Sequence, residues 1–280
     1  MILSTLDKSR KGGAYEQIPS LVLGQRWTPQ LNSRNMMKVV LCVWIEPYIE
    51  NDLSFCVWPV HTPTTSKEVL TLSASTSPLP YTGNKSCIVN TILSVMPKHT
   101  VYIDPCMGSA EVFFRKPRAE KEILNDYNGD LVNLFRVIQN NEKLAYLLGR
   151  LYLSINGELA FKQNKDRLKG VPNILDDVIE TSQIFYDASW EDIQNAAAFL
   201  ENQVYSFSST GQTFGIARRD MSQRLPRLMS AYNRIRDAII LHRDYKDVIT
   251  YAACPGSFIL LDPPYKGTED MYSKANFDIE

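Results

Sequence analysis

The sequence predicts an α/β fold built on a parallel sheet, and three stretches carry that reading. Phe258-Ile259-Leu260-Leu261 is an unbroken apolar run that stops at Asp262, Pro263, Pro264 and Tyr265. A run without polar alternation reads as a strand covered on both faces, the situation of a central strand in a parallel sheet. The two prolines lack an N–H, so the ladder ends there and Asp262 stands at the carboxyl end of its strand. Val101-Tyr102-Ile103-Asp104 is followed by a small-residue turn, Pro105-Cys106-Met107-Gly108-Ser109-Ala110, and then by Glu111-Val112-Phe113-Phe114. Strand, tight turn and helix in that order form the first βα unit of a nucleotide-type fold. Ile123-Leu124 reads as a further strand that closes on Asn125-Asp126, with Leu131, Leu134, Phe135 and Ile138 at helical spacing behind it.

Before this core, residues 1–78 form an N-terminal extension of unknown role, either poorly ordered or a small added unit, to which the sequence assigns no chemistry. Val39 to Ile45 and Phe55 to Val60 are candidate short strands, interrupted by Pro47, Pro59 and Pro63. Residues 62–80 are rich in Ser, Thr and Pro, as linkers are. Trp44 and Trp58 would anchor a small accessory unit or pack on the main domain. Tyr81-Thr82-Gly83-Asn84-Lys85 then forms a loop ahead of Ile88, Ile92 and Leu93, which share one helical face. Such a loop can take an anionic or planar ligand; a plain Gly-Asn turn with a solvated lysine is the alternative.

The turn after Asp104 is not GxGxxG, and Asp104 and Glu111 would repel a phosphate. A cationic, phosphate-free nucleoside such as S-adenosylmethionine suits that charge better. Asp126, at the tip of the second strand, is placed for ribose hydroxyls. Asp130 is the expected cap of the next helix, which would leave Asp126 free.

From about residue 140 to residue 247 the pattern is mainly helical. Ser189-Trp190-Glu191-Asp192 matches a capping box. Tyr205 to Gly215 is a loop of aromatics, hydroxyls and glycines. Arg218, Arg219, Arg224, Arg227, Arg234, Arg236, Arg243 and Lys246 follow, offset by Asp220, Asp237, Asp244 and Asp247. The chain's net charge is only -1, so a nucleic-acid surface has to be local, and this segment offers one. A solvated basic helix is the bland counterpart. The five cysteines form no CxxC pair and the three histidines lie far apart. The sequence therefore indicates no zinc or disulfide scaffold, and a reducing cytosol fits. It also has no apolar run of membrane-spanning length and no secretory signal pattern.

In order along the chain, Tyr81-Thr82-Gly83-Asn84-Lys85, Asp104 to Ala110, Asn125-Asp126, Tyr205-Ser206-Phe207-Ser208 and Asp262-Pro263-Pro264-Tyr265 resemble the motifs of the Dam-type DNA adenine-N6 methyltransferases. The resemblance covers residues 79–280. It implies a Rossmann-like, S-adenosylmethionine-dependent methyltransferase sheet with an inserted, mainly helical DNA-recognition domain. Residues 79–140 and 248–280 would be catalytic and residues 141–247 would recognise the target. Tyr81, Lys85, Asp104, Gly108, Asp126 and Asp262 would bind the cofactor. Asp262, Pro263, Pro264 and Tyr265 would hold the target adenine, and Ser208, Arg218, Arg219 and Arg224 would contact DNA. No metal is implied. Double-stranded DNA is the implied partner, a cognate restriction nuclease a candidate second one, and a monomer the expected state. Two positions depart from the family: Ala110 replaces its second glycine and Cys106 its phenylalanine. Family members also continue past Tyr272 and Phe277 with further strands, so a C-terminal part is expected to be missing. The alternatives are a catalytically impaired DNA-binding remnant, or an amino-methyltransferase acting on RNA adenine or protein glutamine. The glutamine enzymes typically carry Asn where this chain has Asp262.

Overall fold

The structure is a computed structural model that describes residues 41–45, 55–59, 76–176, 188–217 and 219–263. Six strands are described: β1 (Leu41–Ile45), β2 (Phe55–Pro59), β3 (Val101–Asp104), β4 (Lys121–Asn125), β5 (Ile239–Leu241) and β6 (Ser257–Leu261). They lie in one sheet in the order β2-β1-β6-β3-β4-β5. β6, β3, β4 and β5 are mutually parallel, with Ile103 level with both Ile123 and Ile259. β1 runs antiparallel to β6, and β2 antiparallel to β1. The two strands expected before residue 79 therefore extend the main sheet.

The parallel strands are short and nearly all buried, as their unalternating sequences require. Tyr102 on β3 stacks on Phe258 of β6 at 6.1 Å between ring centroids and 15° between planes, so the two central strands are fastened by rings as well as by their ladder. Helix α1 (Val89–Val95) follows the Tyr81–Lys85 loop and α2 (Glu111–Arg115) follows the β3 turn. α3 (Gly129–Gln139) follows β4 and buries Leu131, Leu134, Phe135 and Ile138 as their spacing predicts.

The described residues between α3 and β5 form four α-helices, α4 (Asn141–Tyr152), α5 (Glu158–Lys169), α6 (Trp190–Tyr205) and α7 (Leu225–Ile235). α6 is its centre and packs on α3, α4 and α5. It starts with the expected capping box, Ser189 Oγ accepting from Asp192 N at 3.1 Å and Asp192 Oδ2 accepting from Ser189 N at 2.8 Å. Ala196, Ala197 and Ala198 let its neighbours approach closely.

Two sequence expectations are corrected. Ala238 to Leu241 falls in the stretch read as helical, yet Ile239–Leu241 is β5, paired to β4. Three residues are too few for a period, and burial beside β4 decided the outcome. The cap of α3 is Asn128, whose side chain accepts from Asp130 N. Asp126 does not cap the helix, as expected, and its carboxylate accepts from backbone amides described below.

One buried ionic group ties the helical region to the sheet. The Glu122 carboxylate on β4 binds Lys116 beyond α2 and Arg234 on α7, the latter by Nη2 at 2.8 Å. Arg234 also lies 3.7 Å from the Phe113 ring centroid, and Lys116 4.4 Å from that of Tyr102. Burial pushes the Lys116 ammonium down to about 8 despite its partner. Burial would raise Glu122, but the hydrogen bonds and charges of Arg234 and Lys116 outweigh it and hold the carboxyl below its usual range.

Candidate active site

Parallel strands put their carboxyl ends on one edge of the sheet, where the turns leave a crevice. One pocket lies there, and its lining includes Tyr81, Lys85, Asp104, Gly108, Asp126 and Asp262. These six residues come from four separate segments, and they are the six that the resemblance singled out for one ligand. Of the four residues expected to grip a base, Asp262 lines the pocket, Pro263 adjoins it, and Pro264 and Tyr265 lie outside the described residues.

Each side chain is held for a local reason. Gly108 adopts φ +49°, the left-handed region that favours glycine, and lies beside the Tyr81 ring, which a Cβ would meet at an ordinary contact distance of 3.7 Å. Gly108 N donates to Asp126 Oδ2 at 2.9 Å, and Asn128 N donates to Asp126 Oδ1 at 2.9 Å. The β3 and β4 turns are thereby joined through one carboxylate. Ala110, where the family has glycine, adopts φ +54°, which costs a non-glycine residue about 1–2 kcal/mol. Lys85 Nζ donates to the Gly83 carbonyl at 2.8 Å and forms an ion pair with Asp262 Oδ2. The loop lysine and the strand-end aspartate, 177 residues apart in the chain, thus meet in the pocket.

The electrostatics are those of buried acids. Burial raises Asp104 to about 8; the charges of Asp262 and Asp126 add to this, and the Tyr102 hydroxyl, donating at 3.0 Å, opposes it. Burial raises Asp126 to about 6 against the backbone N–H bonds it accepts. The Cys106 thiol is pushed well up by burial and by the same acids, so it is neutral. A pocket of crowded carboxyls suits a positively charged ligand.

Two lining residues, Arg243 and Tyr245, were missed or misplaced by sequence reasoning. Arg243 belonged there to the basic surface segment, but it follows β5 and lines the pocket. Its backbone is clamped by Asn125, which donates to the Arg243 carbonyl at 2.9 Å and accepts from its N at 2.9 Å. Its Nε and Nη2 are buried with no partner among the described residues. Two desolvated guanidinium donors need an acceptor, and a ligand in the pocket can supply one. The usable signal was the apolar run Ala238 to Leu241 ending in polar residues, the logic that located Asp262.

The residues expected to contact DNA lie elsewhere. Ser208 is exposed at φ +53° on the 205–215 loop, and Arg219 and Arg224 are half-buried beside α7. Arg218 lies outside the described residues. That loop is joined to the pocket mouth, because Thr82 Oγ1 donates to the Ser209 carbonyl at 3.3 Å. Among the described residues no group of three or more His, Cys, Asp or Glu side chains is disposed to hold a metal. No described helix is long and apolar enough to cross a membrane.

Residues 81–279 match the family model of D12 class N6 adenine-specific DNA methyltransferases. The chain is 25% identical over 210 residues to the modification methylase StsI of Streptococcus sanguinis, covering 70% of this chain and 30% of that protein. It is 23% identical over 192 residues to the type II methyltransferase M1.LlaDCHI of Lactococcus lactis subsp. cremoris, covering 66% of this chain and 64% of that protein. It thus spans less than two thirds of the length of either relative.

Proposed function

The chain belongs to the D12 class N6 adenine-specific DNA methyltransferase family, and on that premise we propose that it methylates N6 of an adenine in double-stranded DNA. The observation that carries this reading is the convergence of Tyr81, Lys85, Asp104, Gly108, Asp126 and Asp262 on one pocket. S-adenosylmethionine, when bound, supplies an electrophilic methyl group on a sulfonium. The residues present fit it: carboxyls stand where a phosphate-binding site would have donors, the glycine turn lies beside Tyr81, and Arg243 has buried donors with no partner among the described residues. Asp126 would hold the ribose hydroxyls and Asp104 the cationic end. With strands about 4.8 Å apart, Arg243 lies three strand positions from Asp262 and would serve the end remote from the chemistry.

The chain's own groups would then act on the base. The amino lone pair of adenine is delocalised into the ring, so N6 is a poor nucleophile. The Asp262 carboxylate and the Pro263 carbonyl would accept the two amino hydrogens, localise that lone pair and offset the positive charge that N6 gains as its bond to carbon forms. Pro264 would stiffen the turn and Tyr265 would stack on the base. Lys85 fixes the orientation of Asp262. This is catalysis by positioning and by fixed charge. N6 lies inside the duplex, so the base must leave the stack, at a cost of a few kcal/mol that backbone contacts offset. Residues 141–247, with Ser208, Arg218, Arg219 and Arg224, would supply those contacts. A cognate nuclease as partner, a monomeric state and a cytosolic location complete the proposal. The two relatives' names, modification methylase and type II methyltransferase, support its restriction-modification setting.

Expression in a methylation-free host, followed by sequencing that detects modified adenines, tests the reading. N6-methyladenine is expected at one short sequence with the wild type and nowhere with Asp262→Ala. Unmodified DNA from the wild type, or equal modification by both, would overturn it.

A further inference from the structure

A second concavity lies on the helical region, lined by Arg219, Asp220, Gln223, Arg224 and Arg227. Its three arginines are set by the fold. Arg219 Nη1 donates to the Val204 carbonyl in the last turn of α6, and the Arg219 carbonyl accepts from Asn156 Nδ2 at 3.5 Å. Arg224 ends a short 3-10 turn, Met221–Arg224, that Asp220 caps by accepting from Ser222 N at 2.9 Å. Arg227 is three residues further, in the first turn of α7, a spacing that keeps it on the side of Arg224.

The guanidinium groups of Arg224 and Arg227 have no hydrogen-bond or ion-pair partner among the described residues. Among the described residues that line the concavity, the one acid is Asp220, whose Oδ1 accepts in the cap. Burial, followed by the charges of Arg227 and Arg219, holds Arg224 below the usual arginine range. Three like charges pressed together in a protein of net charge -1 are not a consequence of overall basicity. Their repulsion is relieved by an anion at their centre, and the planar fork of a guanidinium matches phosphate oxygens.

The location says which phosphate. Arg219 is braced on Val204, one residue before the start of the 205–215 loop, and that loop is bonded to the pocket mouth through Thr82 and Ser209. A group gripped here is therefore referenced to the active site by a short chain of bonds. We propose that Arg219, Arg224 and Arg227 form a clamp for one phosphodiester of the DNA backbone, fixing where the duplex lies without reading its sequence. The proposal rests on the DNA-methyltransferase reading above and adds to it a site, a third arginine and a division of labour. Base readout falls to other residues.

The test uses Arg224→Gln and Arg227→Gln, leaving Arg219 and its bond to Val204 intact. Duplex binding is followed by fluorescence anisotropy over a salt series, on a duplex with the methylated sequence and on one without it. Each variant is expected to bind both duplexes more weakly by the same factor. The slope of log affinity against log salt is expected to fall by about 1. S-adenosylmethionine affinity by calorimetry is expected to match the wild type, which also shows that the variants are folded. A neutral methylphosphonate scanned along the duplex should weaken the wild type at one position and leave Arg224→Gln indifferent there. An unchanged salt slope, a loss confined to the methylated sequence, or a methylphosphonate effect that persists in Arg224→Gln would overturn the clamp. A wild type that binds no duplex would sink the enzyme reading itself; a wild type that binds and methylates while the variants match it sinks only the clamp.

Discussion

The pocket at the sheet edge and the arginine-lined concavity of the helical region are both charged, and they are built in opposite ways. In the first, the carboxyls come from strand ends and turns, are buried, and are held by backbone amides and by one lysine. In the second, the guanidinium groups of Arg224 and Arg227 stand on a helix and the turn before it, with no hydrogen-bond or ion-pair partner among the described residues. The first pattern suits a small ligand whose every atom matters, because a buried charge costs energy unless it is matched. The second suits a long polyanion, for which each contact is modest and the sum decides. Chemistry and docking are therefore separable in this molecule.

The largest effect is expected at Asp262. Asp262→Ala should lower single-turnover methyl transfer by at least ~10²–10³-fold while changing S-adenosylmethionine affinity far less, by rapid quench and calorimetry. Proportionate losses in both would make Asp262 only a cofactor ligand. The next largest lies where the two regions join. Glu122→Ala leaves Lys116 and Arg234 buried without their shared anion, and unfolding by urea should show a loss of about 3–5 kcal/mol. A loss under 1 kcal/mol would mean that the group is solvated and that the regions are held by packing alone.

Arg243 is the sharpest test of which region a residue belongs to. If its buried donors face the cofactor, Arg243→Ala should weaken S-adenosylmethionine binding about 10-fold, the value of one charged hydrogen bond, and leave duplex affinity unchanged. The reverse outcome would return it to the basic surface.

The smallest effect is a pH trend with a sign that binding and stability do not share. Asp126 titrates at about 6 and Asp104 at about 8, both raised by burial from 3.8. An acid raised in the folded state contributes stability that is fully present below 3.8 and is lost as pH climbs through these values. Thermal stability of the ligand-free protein should therefore decline as pH rises from about 4 to about 8, as seen by calorimetry. A cationic ligand prefers the ionised acids, so its affinity should rise over the same window. Asp104→Asn should flatten the upper part of both curves. Parallel trends in stability and affinity would contradict the acid-lined pocket.

Much of the catalytic half was legible because strand ends announce themselves. Phe258 to Leu261 and Val101 to Asp104 are apolar runs that stop at an acid, and a parallel sheet has nowhere to put such an acid but its carboxyl edge. Gly108 was legible only through its place in the resembled motif, and the structure adds that its turn holds positive φ at both Gly108 and Ala110. β5 was not legible, being three residues long with no period to read, and Arg243 went unplaced with it. Nor was the α3 cap: Asn128 and Asp130 are both good capping residues, and only the backbone path distinguishes them.

The class of fold, the order of the motifs and the sign of the charge in each region follow from residue type and local spacing, and so were readable along the chain. Tertiary structure alone decided that Lys85 meets Asp262, that Asp126 bridges two turns, that Arg243 points into the pocket region while Arg219, Arg224 and Arg227 gather outside it, and that β1 and β2 extend the sheet at β6. Those are encounters between distant segments, set by how the sheet is ordered and how the helices pack on it, and no local pattern in the chain encodes them.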